Sequence, residues 1–169
     1  MRLTRGKVVI IAIFVGVAAI FAGLITFTGL EEREIAPNIT VTLEDVKMKR
    51  IDRDNPDLMF LQVDLSISSR HHQTLVLSKI DYEMYANERQ VGRGSLSLED
   101  IPLTGRAPLF PGSSTTLPSE MQLRKSPEVM EIWEKLSNND TEDVTWRAEG
   151  VAQIESAISI ADVNFNSTL

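Results

Sequence analysis

The stretch "LQVDLSIS", residues 61–68, alternates between apolar and polar side chains without exception. Its apolar members are Leu61, Val63, Leu65 and Ile67. Its polar members are Gln62, Asp64, Ser66 and Ser68. A period of two, with one apolar and one polar face, is typical of a strand in an antiparallel sheet that covers a core on one side. The stretch therefore predicts a β-rich domain.

The same alternation recurs on both sides of this stretch. "ITVTLEDVKMKRI", residues 39–51, places Ile39, Val41 and Leu43 on one face, and "KIDYEMYA", residues 79–86, does the same with Ile80, Tyr82 and Met84. We predict further strands at residues 90–98, 115–123, 144–153 and 157–165, with Gly- and Pro-rich turns between them. Seven or so short strands predict a mainly β fold, an antiparallel β-sandwich of the immunoglobulin or fibronectin III type.

One segment of the domain has the period of a helix. In "SPEVMEIWEKLSNN", residues 126–139, Ser126 is the predicted N-cap and Pro127 the first helical residue. An apolar stripe follows at helical spacing: Val129, Ile132, Trp133 and Leu136. We expect Trp133 to pack against the sheet rather than to contact a membrane or a partner.

An uncharged run precedes the domain. "VVIIAIFVGVAAIFAGLITFTGL", residues 8–30, is long enough as a helix to cross a hydrocarbon core of roughly 30 Å. A cleaved signal peptide would have an apolar run of about 7–15 residues and a small-residue cleavage site, which "ITFTGLEERE" lacks. A buried core helix is disfavoured by uniform apolarity over this length. The run predicts a single transmembrane helix whose partner is the lipid bilayer.

The flanking charges predict the orientation of this helix. Arg2, Arg5 and Lys7 precede it, whereas "EERE", residues 31–34, follows it. The positive-inside rule then keeps residues 1–7 in the cytoplasm and places the linker 31–37 and the β domain 38–169 outside the cell membrane. Three sequons, at Asn38, Asn139 and Asn166, are candidate glycosylation sites in that location.

Composition excludes several classes of function. The chain has no cysteine, so a disulfide framework and thiolate chemistry are ruled out. Its net charge is -7, and three of its 17 basic residues lie before residue 31, so 14 remain against 24 acidic residues. An acidic domain repels phosphate backbones, which argues against nucleic acid as a partner.

Both histidines lie in "SSRHHQT", residues 68–74, between two predicted strands. A zinc site draws at least three ligands from His, Cys and carboxylates, and the local sequence supplies only this pair; a weak site would need a carboxylate from elsewhere. We interpret the stretch as a polar bend. "DRDNPD", residues 52–57, lacks the Gly and Glu spacing of a calcium loop, and no nucleophile motif is present. The sequence thus predicts no catalytic, cofactor or metal site, and no enzyme activity.

The order of these elements resembles the LEA14-like domain, also called the water-stress and hypersensitive-response (WHy) or LEA type 2 domain. The matching pieces are "LQVDLSIS", "LSKIDYEMYANERQVGRG" (77–94), "FPGSSTTLP" (110–118), and the helix followed by "VTWRAEGVAQI" (144–154) with Gly150 at the family's glycine position. The resemblance covers about residues 38–156. The family usually has Asn-Pro-Asn after its first core strand, where this chain has residues 69–72, "SRHH", so no role is carried over to that loop.

The resemblance implies a seven-stranded sandwich with one helix, and a non-catalytic role in stress tolerance, membrane association or binding of a partner such as an envelope or membrane protein. The alternative hypotheses are a structural component of a surface assembly, pilin-like or associated with an archaellum or surface layer, and an accessory subunit of a membrane complex. "TRGKVVIIAIF", residues 4–14, resembles a pilin leader cleaved after Gly6. Loss of residues 1–6 from the mature chain would favour the filament hypothesis.

Overall fold

The computed structural model describes residues 5–98, 106, 108–138, 140–141 and 143–169, with side chains for all of these except 5–11, 31 and 32. The elements run in this order: helix α1 (Arg5–Ile35), a 3-10 turn (Ala36–Asn38), β1 (Ile39–Ile51), β2 (Leu58–Ser69), β3 (Leu75–Ala86), β4 (Arg89–Ser97), β5 (Pro108–Leu109), β6 (Ser114–Arg124), helix α2 (Met130–Ser137), β7 (Trp146–Glu155) and β8 (Ile160–Thr168). The predicted fold class is confirmed: an antiparallel β domain with one helix follows an apolar N-terminal helix.

The strands form one curled sheet in the order β1-β2-β6-β4-β3-β7-β8, with β5 paired to β3. Among the described residues, a single pair, Gly94 and Met121, joins β4 to β6. The sheet therefore folds over at this seam into two halves that face each other. Its two ends also meet, because the Leu43 N–H donates a hydrogen bond to Ser167 Oγ at 2.9 Å. The result is a flattened, nearly closed sandwich around one core.

Burial follows the alternation read from the sequence, except that Ser66, on the polar face of β2, is also buried. The four apolar residues of "LQVDLSIS" are all 0% exposed. In β1, Ile39, Val41 and Leu43 are buried as predicted, but the next buried residue is Val46. The pairing of β1 with β2 shifts register between Leu43 and Asp45. This bulge inserts one residue and so moves Val46 to the inner face.

Helix α2 begins at Met130, so the prediction of Ser126 as its N-cap was wrong. Val129 occupies the cap position and makes no side-chain capping bond. The Lys125 N–H donates to the Asp57 carbonyl, and the Val129 N–H donates to the Ser126 carbonyl. These bonds show that the chain leaves β6 through a separate turn before the helix can begin. Trp133 is 5% exposed and belongs to the core, so the expectation that it packs inward is confirmed.

The last two strands begin later than predicted, β7 at Trp146 and β8 at Ile160. The delay in β8 has a local cause. Ser156 Oγ accepts the N–H groups of Ile158 and Ser159, and the Ser156 N–H donates to the Ser159 carbonyl. A serine that binds nearby backbone in this way favours a turn over a strand.

Helix α1 continues beyond the uncharged run and ends inside the β domain. Residues 31–35, assigned to a linker in the sequence analysis, form its last turn. Ile35 is 0% exposed and belongs to the core. The side-chain amide of Asn38 donates to the backbone carbonyl of Glu34 at 2.8 Å. The backbone N–H of Arg70 donates to the backbone carbonyl of Asn38 at 2.8 Å. The helix is therefore fixed to the domain by packing and hydrogen bonds.

Candidate functional site at the junction of helix and β domain

Three turns surround the end of α1 and form what we call the helix-proximal end of the domain. They are residues 70–74 between β2 and β3, residues 110–113 before β6, and residues 156–159 between β7 and β8. The first two are joined to the start of the domain, because Arg70 bonds Asn38 and the Gly112 N–H donates to the Ser69 carbonyl at 2.7 Å. The third lies beside the start of β3, since Val76 pairs with Glu155.

The histidine pair lies in the first of these turns. The His71 N–H donates to Ser69 Oγ at 3.3 Å, and the Gln73 N–H donates to His71 Nδ1 at 3.2 Å. These bonds bend the backbone and direct His71 inward, where it is 1% exposed, while His72 is exposed. The two ring centroids are 4.4 Å apart. The stretch forms the predicted bend, but its two imidazoles stay together.

Glu34 of α1 joins this pair. One ligand atom from each of Glu34, His71 and His72 lies within 4.8 Å of the other two. The sequence analysis missed the grouping because Glu34 is in a different element, within a run of acids that was read only as an orientation signal. The one available signal was that Ile35, next to Glu34, is apolar and lies only four residues before the start of β1.

An apolar cavity of about 400 Å³ opens next to this group. Phe27 and Leu30 of α1 form one wall, and Ala157 and Ile158 of the third turn form the other. A larger groove of about 650 Å³ runs along the other side of α1, where Arg33 and Asp162 are its charged lining residues. The apolar surface of the helix thus continues onto the domain.

The helix-proximal end also carries exposed apolar side chains. Phe110 is 55% exposed, Ile158 is 51% exposed and Ile160 is 55% exposed. All three lie in or next to the turns defined above. Among the described residues of the domain, every other large apolar side chain is less exposed than these three, and Leu169 comes next at 50%. These three side chains lie at the same end of the domain as the apolar helix, so this end is a candidate contact surface.

The outer face of β3, β4 and β7 is the second candidate, and it is polar. The Tyr85 hydroxyl lies 2.8 Å from Glu149 and 2.9 Å from Glu83, either of which can accept its single proton, and these two carboxylates raise the pKa of Tyr85 to about 12. The Arg147 guanidinium lies 4.0 Å from the Tyr85 ring centroid and also binds Glu149. The hydrogen bond from Tyr85 and the cation of Arg147 lower the pKa of the Glu149 carboxyl.

A second carboxylate on this face also has its pKa lowered by a neighbouring cation and a neighbouring hydroxyl. Lys79, 2.7 Å away, and the hydroxyl of Ser95 lower the pKa of the Asp81 carboxyl. A shallow groove of about 540 Å³ crosses the strands here. Because its charges are paired with one another, we interpret this face as a solvated surface that stabilises the sheet.

The candidate glycosylation sites occupy three different settings. Asn38 is half-buried at the helix junction, and its side-chain nitrogen, the atom that would carry a glycan, donates to the Glu34 carbonyl. Asn166 is exposed on β8. Asn139 lies outside the described residues. Glycosylation stays a prediction at all three.

Comparisons with known proteins were made for the whole chain. No family model matches it, and no curated protein matches it in sequence. Among solved structures, a protein from Archaeoglobus fulgidus is similar, with 17% identity over 76% of this chain and 94% of the other and a TM-score of 0.44. A protein from Arabidopsis thaliana has 12% identity over 76% and 79%, with a TM-score of 0.43. A putative late embryogenesis abundant (LEA) protein has 13% identity over 90% and 84%, with a TM-score of 0.39. At these values the likeness assigns no function and no site residue to this chain.

Proposed function

We propose that this chain is a single-pass membrane protein whose LEA14-like β domain is held directly against the outer face of the bilayer as a non-catalytic binding or stress-protection module. Among the described residues, one helix is long and apolar enough to cross a membrane, with a mean hydropathy of 2.3 and none of its apolar window buried by the domain. Side chains such as Phe14 and Ile25, 72% and 71% exposed, need an apolar solvent.

The observation that carries the proposal is the shared position of the exposed apolar residues and of the helix. Phe110, Ile158 and Ile160 lie at the end of the domain from which α1 leaves. Ile35 is packed in the core, so no flexible segment separates α1 from the domain. This end of the domain must therefore lie close to the bilayer. The three side chains then enter the interfacial region of the membrane, where apolar groups on a polar surface are stabilised.

The flanking charges support an outward location for the domain. Arg2, Arg5 and Lys7 favour a cytoplasmic N-terminus, and a single span then places the C-terminus outside. The test uses full-length protein with a C-terminal epitope tag, and protease added to intact cells. We expect the protein to stay in the membrane after alkaline extraction and the tag to be digested.

The matched control replaces Arg2, Arg5 and Lys7 with Glu, which removes the orientation signal and leaves the span unchanged. We expect protection of the tag in this variant to rise. A wild-type tag that survives in intact cells but is digested in lysed cells would contradict the outward location.

The stress-protection role is tested by measuring how much dye leaks from vesicles that contain the protein. Full-length protein is reconstituted into dye-loaded vesicles that are then dried and rehydrated. We expect less dye leakage than with a variant carrying Phe110→Asp, Ile158→Asp and Ile160→Asp, since that domain is repelled from the bilayer. Equal leakage for the two proteins would contradict the protective role, but it would not contradict the proposal that α1 crosses the membrane.

A further inference from the structure

The buried histidine at the helix-proximal end has an unmet bonding requirement. His71 Nδ1 accepts the Gln73 N–H, whereas His71 Nε2 is buried and has no hydrogen-bond partner. A buried polar atom without a partner destabilises the folded state, because its desolvation is not compensated by a hydrogen bond. Two other buried side-chain atoms among the described residues lack partners, on Ser78 and Trp146, but neither residue belongs to the Glu34–His71–His72 group.

The three residues of that group have the chemistry of a metal centre. Two imidazoles and one carboxylate are the protein ligands of many three-ligand zinc sites, with water as the fourth ligand. Imidazole nitrogen also suits Cu²⁺ and Ni²⁺, so the donor set selects first-row divalent ions over Ca²⁺ and Mg²⁺. The ligand atoms already lie within 4.8 Å of one another, so rotations of the exposed Glu34 and His72 side chains suffice to converge on one ion.

We propose that Glu34, His71 and His72 bind a first-row divalent metal ion, such as Zn²⁺, and that this ion joins α1 to the turn between β2 and β3. His71 binds through Nε2, which gives that atom its partner. The proton of the neutral ring then lies on Nδ1, so the 3.2 Å bond from the Gln73 N–H is released. The turn must also shift locally, because the Gln73 N–H and the new Nδ1–H would otherwise point at each other.

A bound ion would therefore connect α1 to the β domain at the helix-proximal end. Glu34 belongs to the last turn of α1, and the histidines belong to the β domain. A ligand that binds only the folded arrangement stabilises it by mass action. Metal binding therefore makes the junction more resistant to opening. This inference does not depend on the membrane location proposed above.

The test uses tag-free full-length protein in detergent micelles, so it is independent of membrane topology. Co²⁺ is titrated into metal-free protein and followed by its visible absorption, and Zn²⁺ is then added as competitor. We expect one ion per chain. We also expect Glu34→Gln and His72→Ala each to weaken binding by at least about tenfold, the loss that even outer-shell partners of metal ligands produce. Asp54→Asn, in the acidic turn at the other end of the domain, is the matched control and should bind as wild type.

A second measurement avoids dependence on a His71 variant, which could fail to fold because the residue is buried. The chain contains only two histidines, so ¹⁵N-labelled histidine gives an interpretable nitrogen spectrum. We expect Zn²⁺ to shift the Nε2 signal of His71 and one ring nitrogen of His72. If wild type binds neither ion, or if Glu34→Gln and His72→Ala bind as tightly as wild type, the proposal is wrong.

Discussion

At the scale of single residues, Gly94 of β4 and Gly150 of β7 are explained by close contacts with Tyr82 and with the backbone of β3 beside it. Tyr82 pairs with Gly94 on one side and with Gly150 on the other. A Cβ atom at Gly94 would lie 2.1 Å from Tyr82 Cζ, and one at Gly150 would lie 2.1 Å from the Asp81 carbonyl oxygen. Gly94 therefore makes room for the buried ring of Tyr82, whose O–H donates to Ser119 at 2.9 Å, and Gly150 makes room for the backbone of β3.

We predict that Gly94→Ala destabilises the domain by about 1–3 kcal/mol, the usual effect of overpacking a core. The measurement is urea unfolding followed by tryptophan fluorescence. Gln90→Ala, at an exposed position on the same strand, should change the free energy of unfolding by less than about 0.5 kcal/mol. The double variant Gly94→Ala, Tyr82→Leu should recover part of the loss, because the clashing ring is gone. Strictly additive effects would show that Tyr82 is not the cause.

The stability of the domain at alkaline pH depends on its two tyrosines. Hydrogen bonds to Glu149 and Glu83 raise the pKa of Tyr85 to about 12, and burial raises the pKa of Tyr82. An unfolded tyrosine has a pKa of about 10. The native state therefore holds these protons more tightly than the unfolded state does, so their stabilising effect is complete below pH 10 and is lost as the pH rises from 10 towards 12.

Ultraviolet titration checks this prediction directly, because the chain contains only two tyrosines. We expect the folded protein to show little phenolate absorption at pH 10, and Tyr85→Phe to lose the component that titrates near pH 12. A wild-type phenol that is half-ionised at pH 10 in the folded protein would contradict the assignment.

At the scale of elements, the strands could be predicted because each covers the core on one face and meets water on the other. The start of α2 could not, because Ser126 and Pro127 have the right types for a helix start but belong to the turn that leaves β6. The Glu34–His71–His72 group could not be predicted either, since its members meet only when α1 docks on the turn after β2. The local sequence shows the spacing of apolar residues within a strand or helix. Contacts between two elements depend on how those elements pack together, which local sequence does not show.

The docking of α1 gives a prediction at this scale. We expect Ile35→Ala to destabilise the β domain by about 2–5 kcal/mol, because it leaves a cavity in the core. Leu30→Ala, one turn earlier and 54% exposed, should have an effect below about 0.5 kcal/mol in detergent. The near-ultraviolet circular dichroism of Trp133 and Trp146, both buried in the β domain, reports its unfolding in urea. Equal midpoints for the two variants would show that α1 is not part of the domain.

At the scale of the whole molecule, α1 and the β domain pack together, and the helix-proximal end is the surface of the domain that lies beside α1. The β1–β8 contact through Leu43 and Ser167 nearly closes the sheet, so strand edges are a small part of the surface. The three most exposed large apolar side chains of the domain, among the described residues, lie instead at the helix-proximal end. The sequence analysis predicted the apolar N-terminal helix and the β domain, but not this surface, because Phe110 and Ile158 are far apart in the chain and lie in turns.

Site-directed spin labelling in lipid nanodiscs tests this arrangement most directly, and the absence of cysteine allows single labels to be placed without background. Labels are introduced by Phe110→Cys and Ile158→Cys at the helix-proximal end, and by Ile51→Cys, 39% exposed at the far end of β1, as the matched control. We predict that the first two labels are relaxed more by dissolved oxygen than by a water-soluble nickel chelate, and that the label at position 51 shows the reverse. Equal relaxation of all three labels by the nickel chelate would contradict a domain seated on the bilayer.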